Sequence, residues 1–146
     1  MGLRFTRAAD YAVRAMLHVG SLPEGSVALR EDIALAQRIP TTFMAKILRK
    51  LVNAGLLRSS RGTNGGFGMA RRATVISLLD IVEGIEGPLG LTDCAQGAHR
   101  CSFSHNCPAS TVWFEVQRGM SAHLRDTTLE ALLSAPRRNR RASQLP

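Results

Sequence analysis

The sequence predicts a mainly helical α+β protein. A three-helix module closed by a short β-hairpin comes first, followed by a helical half that includes one long C-terminal helix. Three observations carry this prediction. Apolar residues recur at helical spacing over three stretches within residues 6–55, the last two joined almost directly. A glycine-rich run, "RGTNGG", separates two short strand-forming segments. Charge is also segregated: residues 1–72 hold twelve Lys/Arg against four Asp/Glu, whereas residues 73–135 hold three against seven. The last eleven residues add four arginines and no acid.

A chain of 146 residues with 45% hydrophobic content suits one folded domain, or a small domain carrying an extension. No apolar stretch reaches the length of a membrane span, and the N-terminus lacks the pattern of a secretion signal. A cytoplasmic protein with no membrane contact is expected.

The first helix is expected over "TRAADYAVRAMLHVG", 6–20, with Ala9, Val13, Met16 and Leu17 on its inner face, Thr6 as cap and Gly20 as stop. "SLPEGS" makes a turn, and Val27 and Leu29 lead into "REDIALAQRI", a two-turn helix with Ile33, Ala34 and Leu35 as its apolar positions. "PTTFMAKILRKLVNAG" begins at Pro40, with Thr41 or Thr42 as cap, and ends at Gly55. Its buried stripe is assigned to Phe43, Ile47, Leu48 and Leu51. The opposite face carries Thr42, Lys46, Arg49 and Asn53, with Lys50 beside them.

"LLRSS" and "FGMA" then form a hairpin whose turn is longer than the tightest type needs. Asn64–Gly65–Gly66 is expected to supply positive φ there. It is not a phosphate-binding loop, because no G-K-[S/T] closes it. Arg61 lies at the tip, Arg58 on the first strand, and Arg71 and Arg72 follow the second.

Helix–helix–helix–hairpin is the order of a winged helix-turn-helix. Its third helix enters the major groove of double-stranded DNA while the others brace it. Thr41, Thr42, Lys46, Arg49 and Lys50 are the candidate DNA-facing residues on that helix, and Arg61 would reach a phosphate or the minor groove. The same module can instead serve protein contacts.

In the acidic half, "TVISLLDIVEGIEG", 74–87, reads as a helix through Val75, Leu78, Leu79, Val82 and Ile85. Asp80, Glu83 and Glu86 read as its solvated acidic face rather than a metal site. "PASTVWFEVQRGMSAHLRD" reads as a long helix with Val112, Val116, Met120 and His123/Leu124 on one stripe and Pro108 in its first turn. Thr127 and Glu130 form a candidate capping box for "TTLEALL". These helices have little of their own to pack against, so a homodimer is expected, and Trp113 is assigned to core or interface. The organisation that follows is a winged-helix DNA-binding domain over 1–72 and dimerisation helices over 73–135. The second of these contains a cysteine-rich loop, 93–108, and a disordered basic tail, 136–146, ends the chain.

All three cysteines, Cys94, Cys101 and Cys107, fall within 14 residues of that loop as C-x6-C-x5-C, with His99 and His105 in the spacers. An odd number without a secretion signal argues against a disulfide framework. Three thiols in a polar loop suit thiolate ligation, and Arg100 beside Cys101 would favour the thiolate. Spacing alone leaves three options open: zinc with a histidine, an iron–sulfur cluster with a fourth ligand other than Cys, or a redox thiol switch. No nucleophile–base pairing suggests an enzyme or a small-molecule substrate. His18 and His123 read as ordinary helix residues.

Five segments taken together carry a resemblance: "FTRAADYAVRAM", "FMAKILRKLVNAGLL", "SRGTNGGFGMA", "ISLLDIVEGIEG", and the three cysteines before a helix. Over about residues 3–133 the chain resembles the winged-helix iron–sulfur regulators typified by IscR, NsrR and RirA. The resemblance implies a homodimeric bacterial transcription regulator, a repressor and not an enzyme. Its DNA affinity would depend on an iron–sulfur cluster responding to nitric oxide, redox state or iron supply.

The resemblance makes Cys94, Cys101 and Cys107 the cluster ligands. In the IscR type a histidine beyond the last cysteine completes a [2Fe–2S] site, but the matching residue here is Ser110. In the NsrR type an aspartate of the partner subunit's first helix completes a [4Fe–4S] site, and Asp10 matches it. The resemblance therefore favours [4Fe–4S] over [2Fe–2S]. The spacer between the first two cysteines is one residue longer than is usual in the IscR and NsrR types, as some RirA-like members allow. A cluster-free thiol or zinc regulator on the same fold is the alternative.

Overall fold

The computed structural model describes residues 5–136. The tail expected to be disordered therefore lies, from residue 137 onward, outside the described residues. Seven helices and one hairpin follow in order among the described residues: α1 (Arg7–Gly20), α2 (Arg30–Gln37), α3 (Thr41–Asn53), β1 (Leu57–Ser60), β2 (Gly66–Met69), α4 (Leu78–Glu86), α5 (Asp93–Gln96), α6 (Pro108–Asp126) and α7 (Leu129–Ser134). Short 3-10 turns at Ala73–Val75 and Ala98–Arg100 complete the path. The architecture is a mainly helical winged helix-turn-helix with a small antiparallel sheet, as the sequence predicts. No helix of the described residues is long and apolar enough to cross a membrane.

Thr6 caps α1 as expected, its hydroxyl accepting the Ala9 N–H at 3.2 Å. Between α2 and α3 the chain reverses through Arg38, whose left-handed backbone (φ 55°, ψ 46°) drops Ile39 into the core. A non-glycine residue there gives up about 1 kcal/mol, a modest cost for the tight corner that sets the angle of α3. Pro40 occupies the cap position of α3, so neither Thr41 nor Thr42 caps it; both lie inside the first turn and are exposed.

The stripe on α3 needs a correction of one position. Phe43 is 56% exposed, and Met44, fully buried, takes its place beside Ile47, Leu48 and Leu51. Spacing of i, i+3, i+4 and i+7 from Met44 fits a single face better than the same count from Phe43. The Phe43 ring instead meets Tyr11 edge-on, with centroids 6.4 Å apart. Leu35 is corrected likewise: it is 80% exposed, and only Ile33 and Ala34 of α2 are buried.

In the wing, Leu57 pairs with Met69 and Ser60 with Gly66. Ala28 adds a bridge to Phe67 through two backbone hydrogen bonds of 2.8 and 2.9 Å, fastening the wing to the segment before α2. Positive φ falls at Gly62 and Gly66, not at Asn64 or Gly65. Gly65 is needed for a different reason: a Cβ there would collide with the carbonyl oxygens of Ser60 and Gly62.

α4 starts later than the apolar pattern suggests. Ser77 and Asp80 form a capping box that fixes its first turn at Leu78, leaving Val75 in the preceding 3-10 turn and 60% exposed. Leu79, Ile81, Val82 and Ile85 are buried, a face of about half the helix. The core runs continuously from α1 and α3 through Ile76, Ile81 and Ile85 to Leu129 of α7. α7 is held there by backbone bonds of 2.8 Å from Leu78 to Thr127 and from Leu129 to Ile76. Its cap is Thr128, which accepts the Ala131 N–H at 3.1 Å; the proposed Thr127–Glu130 box is displaced by one residue, and Thr127 instead donates back to the His123 carbonyl.

α6 has the predicted boundaries, but none of its residues is buried. Val112, Trp113, Phe114 and Val116 are between 44% and 57% exposed, so Trp113 is not part of this chain's core.

Candidate nucleic-acid interface and cysteine loop

The burial of Met44, Ile47, Leu48 and Leu51 turns the opposite side of α3 outward. That side forms an open groove lined by Arg30, Thr41, Thr42, Ala45, Lys46, Arg49 and Lys50. All five candidate residues on α3 therefore share one surface, alongside Arg30 from α2. The Arg30 guanidinium holds the Glu31 carboxylate at 2.6 Å, which keeps that carboxyl below its usual range and offsets Arg30's own charge. Among the described residues Lys46 and Arg49 have no carboxylate partner, so their charge is open to the groove. Lys50 contributes its aliphatic stem, while its ammonium turns back to donate to the Ile85 carbonyl of α4 at 3.0 Å.

Arg61 is exposed at the hairpin turn. Arg58 is not available in the same way. Its guanidinium donates to the Gly25 carbonyl at 3.0 Å, bracing the wing against the α1–α2 turn.

The cysteine loop leaves α4 through a set of contacts that sequence patterns do not reveal. Glu83 accepts the Leu89 N–H at 3.0 Å. Gln117 of α6 clamps both sides of α5, accepting the Leu91 N–H at 2.9 Å and donating to the Ala95 carbonyl at 3.0 Å. Cys94 sits inside that clamp, its sulfur 3.1 Å from the Thr92 hydroxyl. Cys107 precedes α6 directly, and its carbonyl accepts from the Ser110 hydroxyl at 2.8 Å; the same hydroxyl lies 3.1 Å from the Ser104 carbonyl. Ser110 thus closes the turn between Ser104 and Cys107.

The acidic side chains of α4 are more than a solvated face. Asp80 caps the helix, Glu83 holds the departing loop, and Glu86 accepts from the backbone N–H and hydroxyl of Thr6 at the start of α1. Arg100 does not sit free beside Cys101 either, since its guanidinium donates to the Gln96 side chain.

Asp10 lies in the first turn of α1, 63% exposed at its side chain and 3.6 Å from Arg14, which also stacks over Tyr11. The three cysteines are half-exposed and unpaired with one another. Among the described residues no three His, Cys, Asp or Glu side chains come together in one place, so a single copy does not gather Cys94, Cys101, Cys107 and Asp10. The donor set itself, three thiols on a polar segment, fits thiolate ligation of iron or zinc.

Known proteins share this arrangement. The family model described as Rrf2, an iron-dependent transcriptional regulator, matches residues 5–135. This chain belongs to the Rrf2 family. A Mycobacterium tuberculosis relative, Rv1287, whose name describes it as an HTH-type transcriptional regulator, is 38% identical over 129 residues, or 87% of this chain and 79% of the relative. Among solved structures, CymR of B. subtilis, titled the global cysteine regulator, superposes with a TM-score of 0.77 at 23% identity, covering 91% of this chain and 98% of that one. IscR of T. potens superposes with a TM-score of 0.73 at 26% identity, covering 91% and 88%. As an Rrf2 protein the chain is a DNA-binding transcriptional regulator, and the groove on α3 is its candidate reading surface.

Proposed function

We propose that this Rrf2 protein is a homodimeric cytoplasmic repressor whose affinity for double-stranded DNA is set by an iron–sulfur cluster. Cys94, Cys101 and Cys107 would hold it, with Asp10 of the second copy as fourth ligand and [4Fe–4S] preferred to [2Fe–2S]. The observation that carries this reading is the attachment of the cysteine loop. The segment with all three thiols hangs from the last turn of α4 through Glu83, and the same turn contacts α1 and α3.

Thr41, Thr42, Lys46 and Arg49 line the groove that would meet base edges and phosphates, with Arg61 reaching beyond it. α6 would bury Val112, Trp113 and Val116 against a second copy. A two-fold pair would then set two α3 helices about 34 Å apart, one helical turn of DNA. When bound, a cluster supplies iron–thiolate bonds open to loss by oxidation, nitric oxide or iron scarcity. Linkage requires that whatever the loop's state does to DNA affinity, DNA does equally to that state. Residues 1–72 would form the reading domain and 73–135 the dimerising and sensing half.

Anaerobic purification with iron and sulfide counted per chain tests this. About four of each, with a broad absorption band and loss of both in Asp10→Ala, is the expected result. Loaded and cluster-free protein should then differ in affinity for genomic duplex fragments. A colourless protein with zinc or no metal after anaerobic reconstitution overturns the cluster. That outcome leaves a thiol or zinc regulator, and the half-exposed, unpaired thiols favour the thiol form of it.

A further inference from the structure

Lys50 sits on the basic face of α3, yet two features separate it from Lys46 and Arg49. It lies nine residues beyond Thr41, about 13 Å along the helix axis, whereas helix-turn-helix proteins read bases with the N-terminal part of this helix. Its ammonium is also already engaged, donating to the Ile85 carbonyl at 3.0 Å.

That carbonyl belongs to the last turn of α4, where helix carbonyls have no partner within the helix. The same turn carries Glu83 and Glu86 and no basic residue of its own. Two carboxylates at the negative end of a helix dipole are unfavourable, and a cation from the neighbouring helix offsets them. Both carboxylates have further duties. Glu86 holds the start of α1 at Thr6, and Glu83 holds the Leu89 N–H, from which the chain runs through the Gln117 clamp to Cys94. One turn of α4 thus meets the first helix, the cysteine loop and, through Lys50 alone of the basic residues on α3, the recognition helix.

We infer that Lys50 is a positioning residue: it fixes the recognition helix to the end of α4 from which the cysteine loop departs, and it does not neutralise a DNA phosphate. The inference rests on the reading of α3 as the DNA-reading helix.

The test compares full-length Lys50→Met, Lys50→Arg and Lys46→Met in two measurements. The first is the salt dependence of binding to a short mixed-sequence DNA duplex, where each lost phosphate contact lowers the log–log slope by about one. The second is amide hydrogen exchange across residues 83–91 in the absence of DNA. Lys46→Met should lower the slope by about one. Lys50→Met should keep the wild-type slope, bind more weakly, and speed exchange at residues 83–91 by about fivefold to tenfold; Lys50→Arg should restore both. A slope lower by about one in Lys50→Met, with or without a change in exchange, overturns the assignment. If no variant on α3 alters duplex binding, the DNA-reading role of α3 fails, and the exchange result alone decides whether Lys50 tethers the two helices.

Discussion

Two amphipathic helices of this chain meet different fates. α3, thirteen residues long, seats Met44, Ile47, Leu48 and Leu51 in a core shared with α1, α4 and α7. α6, nineteen residues long, has Val112, Val116 and Met120 at similar spacing, and buries none of them. The difference lies in what surrounds each helix. α3 is flanked by short connections that force its neighbours onto it, whereas the main contacts of α6 among the described residues are with α4 and the small α5. An apolar stripe announces that a helix will be covered. It does not announce by which chain.

The contrast can be broken first at its strongest point. Leu48→Ala removes a fully buried side chain from the centre of the module and should lower the unfolding free energy by about 3 kcal/mol, read by urea denaturation. A loss below about 1 kcal/mol would mean that the module is loosely packed and differs less from α6 than the burial implies. Val116→Asp probes the other side. With Val116 49% exposed in one copy, monomer stability should change little, while self-association measured by sedimentation should weaken at least about thirtyfold. Unchanged association would remove α6 from the dimer interface.

Smaller effects sharpen the picture at its margins. Thr128→Ala takes away the cap of α7 and should cost about 1 kcal/mol, with Thr127→Ala costing less; the reverse order would restore the Thr127–Glu130 box. Asp10→Ala breaks an exposed ion pair with Arg14 and should change the stability of the cluster-free protein by no more than about 1 kcal/mol, seen by thermal melting. A larger loss would give Asp10 a structural role that its exposure does not suggest.

Most of the winged module was legible because its signals are local. Thr6, Gly55 and the glycine-rich hairpin act within a few residues of themselves, and α3 faces outward with the side predicted. The errors share a cause. Phe43 and Met44 are adjacent and both apolar, and although the spacing to Ile47, Leu48 and Leu51 favours Met44, the edge contact that Phe43 makes with Tyr11 has no local signal. Val75 fails because a capping box at Ser77 overrides the apolar period, and Thr128 displaces Thr127 because backbone pairing with Ile76 and Leu78 sets the start of α7. Gln117, Glu83 and Glu86 were invisible as clamps: a polar residue on a helix carries no mark of the distant backbone group it will meet. The candidate DNA residues were therefore legible as a face, and the bond from the Lys50 ammonium to the Ile85 carbonyl was not.

The pairing of Ile76–Leu78 with Thr127–Leu129 has one more consequence. The chain leaves the core at the end of α4 and returns to it beside the start of that helix, so the cysteine loop and α6 form an excursion whose two ends are fixed at opposite ends of α4. The entropy of closing that excursion grows only with the logarithm of its length. A longer spacer between two cysteines therefore adds little closure cost, and the backbone bonds that seat α7 beside the start of α4 do not depend on it.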